Sequence, residues 1–132
     1  MKNKKFDYYT WQKFEKDCKK IAAWARRKGF KNIYGIPRGG LVVAIKLSHL
    51  LDIPLVLNKE DVMRKTLIVD DVVDAGKTIE RLILAIGNKR SVASLYFADG
   101  AKMKPDFFVR CKKKWIIFPW ETTATSKYDN TI

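Results

Sequence analysis

Three aspartates, Asp70, Asp71 and Asp74, stand close together, with Ala75, Gly76, Lys77 and Thr78 directly after them. The run Thr66–Val69 that precedes them is apolar and β-branched and reads as a buried strand. Carboxylates on successive residues of an extended chain point to opposite sides and repel each other, so they require a ligand, a metal or water. Vicinal sugar hydroxyls are good donors to such carboxylates, and hydrated Mg²⁺ prefers oxygen ligands. The segment Asp74–Thr78 opens a helix, whose free N–H groups and dipole make an anion site. Ala75 and Gly76 let a phosphate approach the backbone, and Thr78 adds a hydroxyl donor. The residue types converge on one ligand chemistry, a sugar phosphate with free hydroxyls.

Two simpler readings explain less. Gly76-Lys77-Thr78 resembles the end of a nucleotide-binding P-loop, but that motif needs an earlier glycine where this chain has Asp71. Helix capping accounts for one acid and not three.

The elements that must position these residues follow from periodicity. Thr10 is the expected cap of a helix running to about Lys28, with Trp11, Phe14, Cys18, Ile21, Ala22 and Ala25 on its inner face and Gly29 ending it. A strand over Asn32–Ile36, a tight turn over Pro37–Gly40 and a helix over Leu41–Leu51 come next. A short strand at Leu55–Leu57 and a connection over Asn58–Lys65 lead to the acidic strand. The following helix runs from Lys77 or Thr78 to about Ile86, with Ile79, Leu82, Ile83 and Ile86 inward, and Gly87-Asn88 closing it. Strands are expected at Val92–Phe97, Phe107–Val109 and Trp115–Phe118, and a loose polar tail from Thr122. Alternating strands and helices predict an α/β fold, a parallel sheet with helices on both faces.

With 132 residues the chain fits one domain. Lys and Arg outnumber Asp and Glu by 27 to 14, a net charge of +13. Such a field steers polyanions, and it also fits a solvated lysine-rich surface. The basic clusters at Lys2–Lys5, Lys13–Lys20, Arg26–Lys28 and Arg110–Lys114 are scattered. They are not interleaved with aromatics as a stacking platform for nucleic acid would be, so nucleic acid is the less favoured partner. No apolar run is long enough to cross a membrane, and no apolar segment follows the basic N-terminus as in a secretion signal. Cys18 and Cys111 lack metal-ligand spacing, which fits two reduced thiols and a cytoplasmic location. His49 lies on a helix away from the acids and reads as a solvated or satisfied side chain.

The stretch Thr66–Thr78 resembles the phosphoribosyl pyrophosphate (PRPP) motif of type I phosphoribosyltransferases and matches it at every position. Pro37-Arg38-Gly39-Gly40, between a strand and a helix, is similar to that family's pyrophosphate loop. Trp115–Glu121 resembles the base-binding segment of its xanthine-guanine and hypoxanthine members. The resemblance implies a Rossmann-like core with a reduced hood. It divides the chain into an N-terminal helix region (1–31), a core with its base-binding segment (32–121) and a polar tail (122–132).

By the resemblance, the chain is a Mg²⁺-dependent purine phosphoribosyltransferase. It would join PRPP to a purine base and release pyrophosphate in purine salvage, as a homo-oligomer with a dimer favoured. Arg38, Gly39 and Gly40 would bind pyrophosphate, with a non-proline cis peptide near Pro37–Arg38. Asp70 and Asp71 would hold the ribose hydroxyls, Asp71 also facing the Mg²⁺ shell. Asp74, Ala75, Gly76, Lys77 and Thr78 would take the 5′-phosphate. Asp74 would also serve as general acid/base at N7 of the base, which favours a purine. Trp115 would stack on the base and the main chain at Ile116 would read its edge, whereas Trp120 packs in the core or at a subunit contact.

Two departures from the family bear on the choice of base and on catalysis. The family's lysine for the exocyclic 6-oxygen counts onto Ala98 and its neighbouring proline onto Asp99. Lys102 or Lys104 would stand in only with a rearranged loop, and Asp99 would suit an amino-bearing base. The hood is reduced to Asn58–Lys65, from which Lys59, Arg64 and Lys65 would have to reach the phosphates. These departures motivate a runner-up, a non-catalytic PRPP- or nucleotide-binding regulator that also binds nucleic acid. A pyrimidine transferase or a nucleotide hydrolase stands behind both.

Overall fold

The computed structural model describes residues 6–86 and 90–126, with nothing said of the Ile86 side chain. The expected Gly87-Asn88 helix stop, the Lys2–Lys5 cluster and the tail beyond Ser126 lie outside these residues. The elements are β1 (Phe6–Tyr8), α1 (Trp11–Ala25), β2 (Asn32–Gly35), α2 (Gly39–Leu51), β3 (Leu55–Val56), β4 (Thr66–Val73), α3 (Lys77–Ile86), β5 (Ser91–Phe97), β6 (Phe107–Cys111), β7 (Trp115–Ile117) and α4 (Thr123–Ser126). A single 3₁₀ turn, Lys59–Asp61, lies between β3 and β4.

Five strands form one sheet in the order β3-β2-β4-β5-β6, and each neighbouring pair is parallel. The helices take both faces, as the alternation of elements predicted. Phe14, Cys18, Ile21 and Ala22 of α1 join Val43, Ala44 and Leu47 of α2 against Ile33, Leu67, Val69, Ala93 and Leu95. On the other face Ile79 and Leu82 of α3 pack with Tyr34, Ile68, Val92 and Phe97. Successive strand residues therefore serve opposite cores, the pattern of a sheet buried on both sides.

Several boundaries differ from expectation for local reasons. The Thr10 cap forms, its Oγ1 accepting from the Lys13 N–H at 3.1 Å. α1 stops at Ala25 rather than near Lys28, because the chain closes in a tighter turn in which the Lys28 N–H donates to Ala25 O at 3.0 Å. Trp11, placed inward by periodicity, is 54% exposed at the helix start. β4 continues through both acids to Val73, because β5 extends beside it as far as Phe97. Strand β1 and helix α4 carry too few residues for a periodic signal. β1 exists because β7 pairs with it, Phe6 to Trp115 through Tyr8 to Ile117.

A buried polar network fastens this N-terminal strand and α1 to β6. The Asp17 carboxylate is fully buried. It accepts from Tyr9 Oη at 2.6 Å and from Arg110 Nε and Nη2 at 2.6 and 3.2 Å. Arg110 also lies over the Tyr9 ring, 5.8 Å from its centroid. Burial, reinforced by the bond to Asp17, pushes the Tyr9 phenol far above its usual range. Burial likewise pushes the Cys18 thiol up to about 12, so it acts as a small apolar side chain.

The Asp17 side chain is 1% exposed and that of Arg110 35%, so removing Arg110 leaves a desolvated carboxylate behind. Arg110→Met should therefore lower the unfolding free energy by about 3 kcal/mol. Urea unfolding at neutral pH checks this, and a loss below about 1 kcal/mol, the range of an exposed pair, would contradict it.

Candidate active site

The strand order fixes where a ligand fits. From β2 the chain runs through α2 to β3 on one side, while from β4 it runs through α3 to β5 on the other. The β2–β4 boundary is thus the topological switch point of the sheet, and the crevice beyond the strand ends there is where open α/β sheets bind ligands. β2 pairs with β4 only as far as Gly35–Val69, so β4 projects beyond it by the segment that carries Asp70 and Asp71.

The space left by β2 is filled by the start of α2. Gly39 and Gly40, expected in a turn, form the first turn of this helix, and the Gly40 N–H donates to Ile36 O at 2.8 Å. A Cβ on Gly40 would lie 2.7 Å from Val69 O and 3.2 Å from Asp70 Cα, so only glycine permits this approach. The Pro37–Arg38 peptide is cis, as the resemblance implied.

Asp70 Oδ1 accepts from the Asp71 N–H and Asp71 Oδ1 from the Val72 N–H, both at 2.8 Å. These bonds fix each carboxylate on its own backbone. Val72 packs on the α1–α2 face and Val73 on the α3 face, the reverse of the order that alternation from Leu67 to Val69 would give. Tyr96 and Phe97 reverse relative to Leu95 in the same way. Both strands shift together, so their pairing register is kept on either side of the acids. Gly76 then turns the chain at φ +79°, and α3 starts at Lys77. The Ala98–Pro105 connection supports this turn from outside. Lys102 N–H donates to Ala75 O at 3.1 Å, and a Cβ on Gly76 would lie 2.7 Å from the Met103 N.

These groups wall a cleft of about 350 Å³. Asp70, Asp71, Asp74, Ala75, Gly76, Lys77, Thr78, Trp115 and Ile116, all expected at the site, line it together. Arg38 does not. It lies in an adjoining groove of about 180 Å³ with Trp120, and Glu121 borders both spaces. Gly39 and Gly40 are buried and neither lines the cleft, Gly40 lying against Asp70.

Lys112 was missed. It stands in the basic run Arg110–Lys114, which reads in sequence as solvated charge. Its position at the end of β6 brings it inward, with its N–H donating to Phe97 O at 2.9 Å. Its Nζ lies 2.5 Å from Asp74 Oδ2 and 4.7 Å from the Trp115 ring centroid. The Lys112 side chain is 16% exposed and that of Asp74 53%. An ion pair this open on one side contributes about 1 kcal/mol or less to stability. Ser126 was also missed, because a polar tail carries no signal. Its Oγ accepts from Trp115 Nε1 at 2.8 Å and so pins the indole. Trp120 packs in the core, stacked on Phe118 at 4.9 Å.

None of Ala98, Asp99, Lys102 or Lys104 lines the cleft. The Lys104 ammonium lies 6.0 Å from the Phe108 ring centroid instead. No hood residue from Asn58 to Lys65 lines it either. Val62 is buried in the core beneath α3, and Lys65 O accepts from the Lys31 N–H at 2.9 Å, at the end of the sheet away from the acids.

No family model matches the chain. The chain is 31% identical to a purine phosphoribosyltransferase of Pyrococcus horikoshii Ot3 whose crystal structure superposes with a TM-score of 0.77, covering 90% of this chain and 96% of that one. A xanthine-guanine phosphoribosyltransferase of Nitratidesulfovibrio vulgaris is 29% identical over 136 residues, 86% of this chain and 83% of the relative. The fold is shared by the Helicobacter pylori xanthine-guanine-hypoxanthine phosphoribosyltransferase, at 22% identity and a TM-score of 0.78 over 93% of this chain and 98% of that one. The chain belongs to the purine phosphoribosyltransferase family, with the type I phosphoribosyltransferase fold.

The Gly76 turn combines a left-handed φ with a backbone neighbour at the position of a Cβ. Gly76→Ala should cost about 2 kcal/mol or displace the Ala98–Pro105 connection. Urea unfolding together with amide exchange at Lys102 and Met103 checks this, and an unchanged midpoint with unchanged exchange would contradict it.

Proposed function

We propose that the chain transfers the phosphoribosyl group of PRPP to a purine base and releases pyrophosphate. The observation that carries this is the convergence, in one cleft at the switch point, of Asp70, Asp71, the Asp74–Thr78 turn and Trp115. The 5′-phosphate fits the helix start, where the Gly76 turn and the N–H groups of Lys77 and Thr78 meet an anion. The ribose hydroxyls donate to Asp70 and Asp71. The base stacks on the Trp115 ring, with its edge toward the Ile116 main chain. Pyrophosphate extends toward Arg38 in the adjoining groove.

Mg²⁺ suits this donor set. It is typically held through one or two carboxylates plus substrate phosphates, retaining water. Asp71, and Asp70 beside it, supply hard oxygen ligands on the cleft wall. When bound, the ion supplies charge neutralisation to the leaving pyrophosphate. The bond from ribose C1 to the pyrophosphate oxygen breaks, and pyrophosphate leaves with the electron pair. A ring nitrogen of the base bonds to C1, and Asp74 takes the proton the base loses. Orientation and charge stabilisation do the rest. The product is a nucleoside monophosphate, and the reaction salvages free bases. Among the described residues no helix is long and apolar enough to cross a membrane and both cysteines are free, which fits a cytoplasmic enzyme.

One observation favours the runner-up, a regulator that binds PRPP or a nucleotide without turnover. The Asn58–Lys65 segment does not border the cleft, so nothing from it excludes water there. Turnover separates the two. The chain, incubated with PRPP, Mg²⁺ and each of a panel of purines, uracil, orotate and cytosine, should form a purine nucleotide and pyrophosphate. PRPP binding with no product from any base would sink the enzyme. Asp74→Asn should lower kcat by tenfold or more while the PRPP dissociation constant stays within about twofold. Equal losses in both would assign Asp74 to PRPP binding alone.

A further inference from the structure

The cleft contains a cation that no part of the proposed reaction uses. Lys112 Nζ touches the two groups assigned above to the base, Asp74 at 2.5 Å and the Trp115 face at 4.7 Å. Its backbone is tied to the end of β5 through the Lys112 N–H to Phe97 O bond, so the side chain is delivered from a fixed point. The indole beneath it is fixed too, by Ser126 on its N–H edge. A flat base cannot stack on that face while the ammonium covers it. The lysine must yield its place, and its ion pair with half-exposed Asp74 is open enough to exchange.

Where the ammonium goes is limited by its chemistry. It carries three donors and no acceptor, and its side chain is 16% exposed. A base edge bearing an oxygen gives it an acceptor next to the place it vacated. An edge bearing an amino group sets donor against donor and leaves a covered cation without a partner. Ala98, Asp99, Lys102 and Lys104 stay off the cleft wall, and Lys77 and Arg81 line it from α3, so Lys112 is the cation set against Asp74 and Trp115.

We propose that Lys112 determines the choice of base: its ammonium fills the base seat in the free protein, and on binding it donates to an exocyclic oxygen of the base. This rests on the transferase reading above. It places the preference for oxopurines on the end of β6 rather than on the connection after β5.

The test compares wild type, Lys112→Met and Lys112→Arg in steady-state assays with hypoxanthine, guanine, xanthine and adenine at saturating PRPP and Mg²⁺. PRPP affinity is measured separately, and a thermal melt confirms folding. In Lys112→Met the KM for the three oxopurines should rise about ten- to a hundredfold, the range of one hydrogen bond to a charged group. The KM for adenine should stay the same or fall, and PRPP affinity should hold. Lys112→Arg, which keeps the charge and carries the comparison if the Met variant does not fold, should retain part of the oxopurine preference. Equal change for oxo- and aminopurines, a loss confined to PRPP, or no change at all would overturn the role of Lys112 and leave the transferase reading standing. A wild-type chain that turns over no base would bring down both.

Discussion

Three carboxylates crowd the end of one central strand, and the structure around them is arranged to tolerate their repulsion. Asp70 and Asp71 are satisfied in part by the amides that follow them, and Asp74 by Lys112. The start of α3 adds the positive end of a helix dipole to the same cleft. Each of these answers depends on a distant choice. β2 ends early so that β4 can project. The glycine pair lets α2 close the gap. β6 runs on to Cys111 so that Lys112 reaches the acid, and the Arg110–Asp17–Tyr9 network holds that strand against α1.

Two magnitudes separate framework from site. The Arg110–Asp17 pair belongs to the framework, because its carboxylate is buried and removing Arg110 would leave that charge desolvated. The Lys112–Asp74 pair is half open to solvent and contributes little to folding. It can therefore be exchanged for a ligand at small cost. Arg110 and Lys112, two residues apart, thus face the framework and the cleft in turn.

The acidic motif was legible because its chemistry is local. A strand, two acids, a turn and a helix start are contiguous, and their mutual placement needs no information from elsewhere. Trp115 and Ile116 were legible through their apolar strand pattern beside the family resemblance. Lys112 was not, since a run of basic residues looks the same in sequence whether it faces water or an acid. Only the register of β6 against β5 decides that Lys112 points inward. Asp17 was hidden for the same reason, its partners Tyr9 and Arg110 lying at opposite ends of the chain. Lys102 and Lys104, the nearest substitutes in sequence for the family's lysine, stay off the cleft wall, whereas Lys112 enters it from the end of the neighbouring strand. β1 and α4 are too short to carry a period; pairing with β7 creates β1, and hydrogen bonds of Thr122, Thr125 and Ser126 hold α4.

The proposed reaction requires that the Asp70–Thr78 segment seat a ribose 5-phosphate group next to a base. Melting temperature tests it most directly, because a ligand that binds only the native state raises it by mass action. Millimolar PRPP with Mg²⁺ should raise the midpoint by several degrees, more than Mg²⁺ alone, and Asp70→Asn/Asp71→Asn should abolish the rise. An unchanged midpoint of the wild-type chain with PRPP and Mg²⁺, or an equal rise in the double variant, would contradict this assignment.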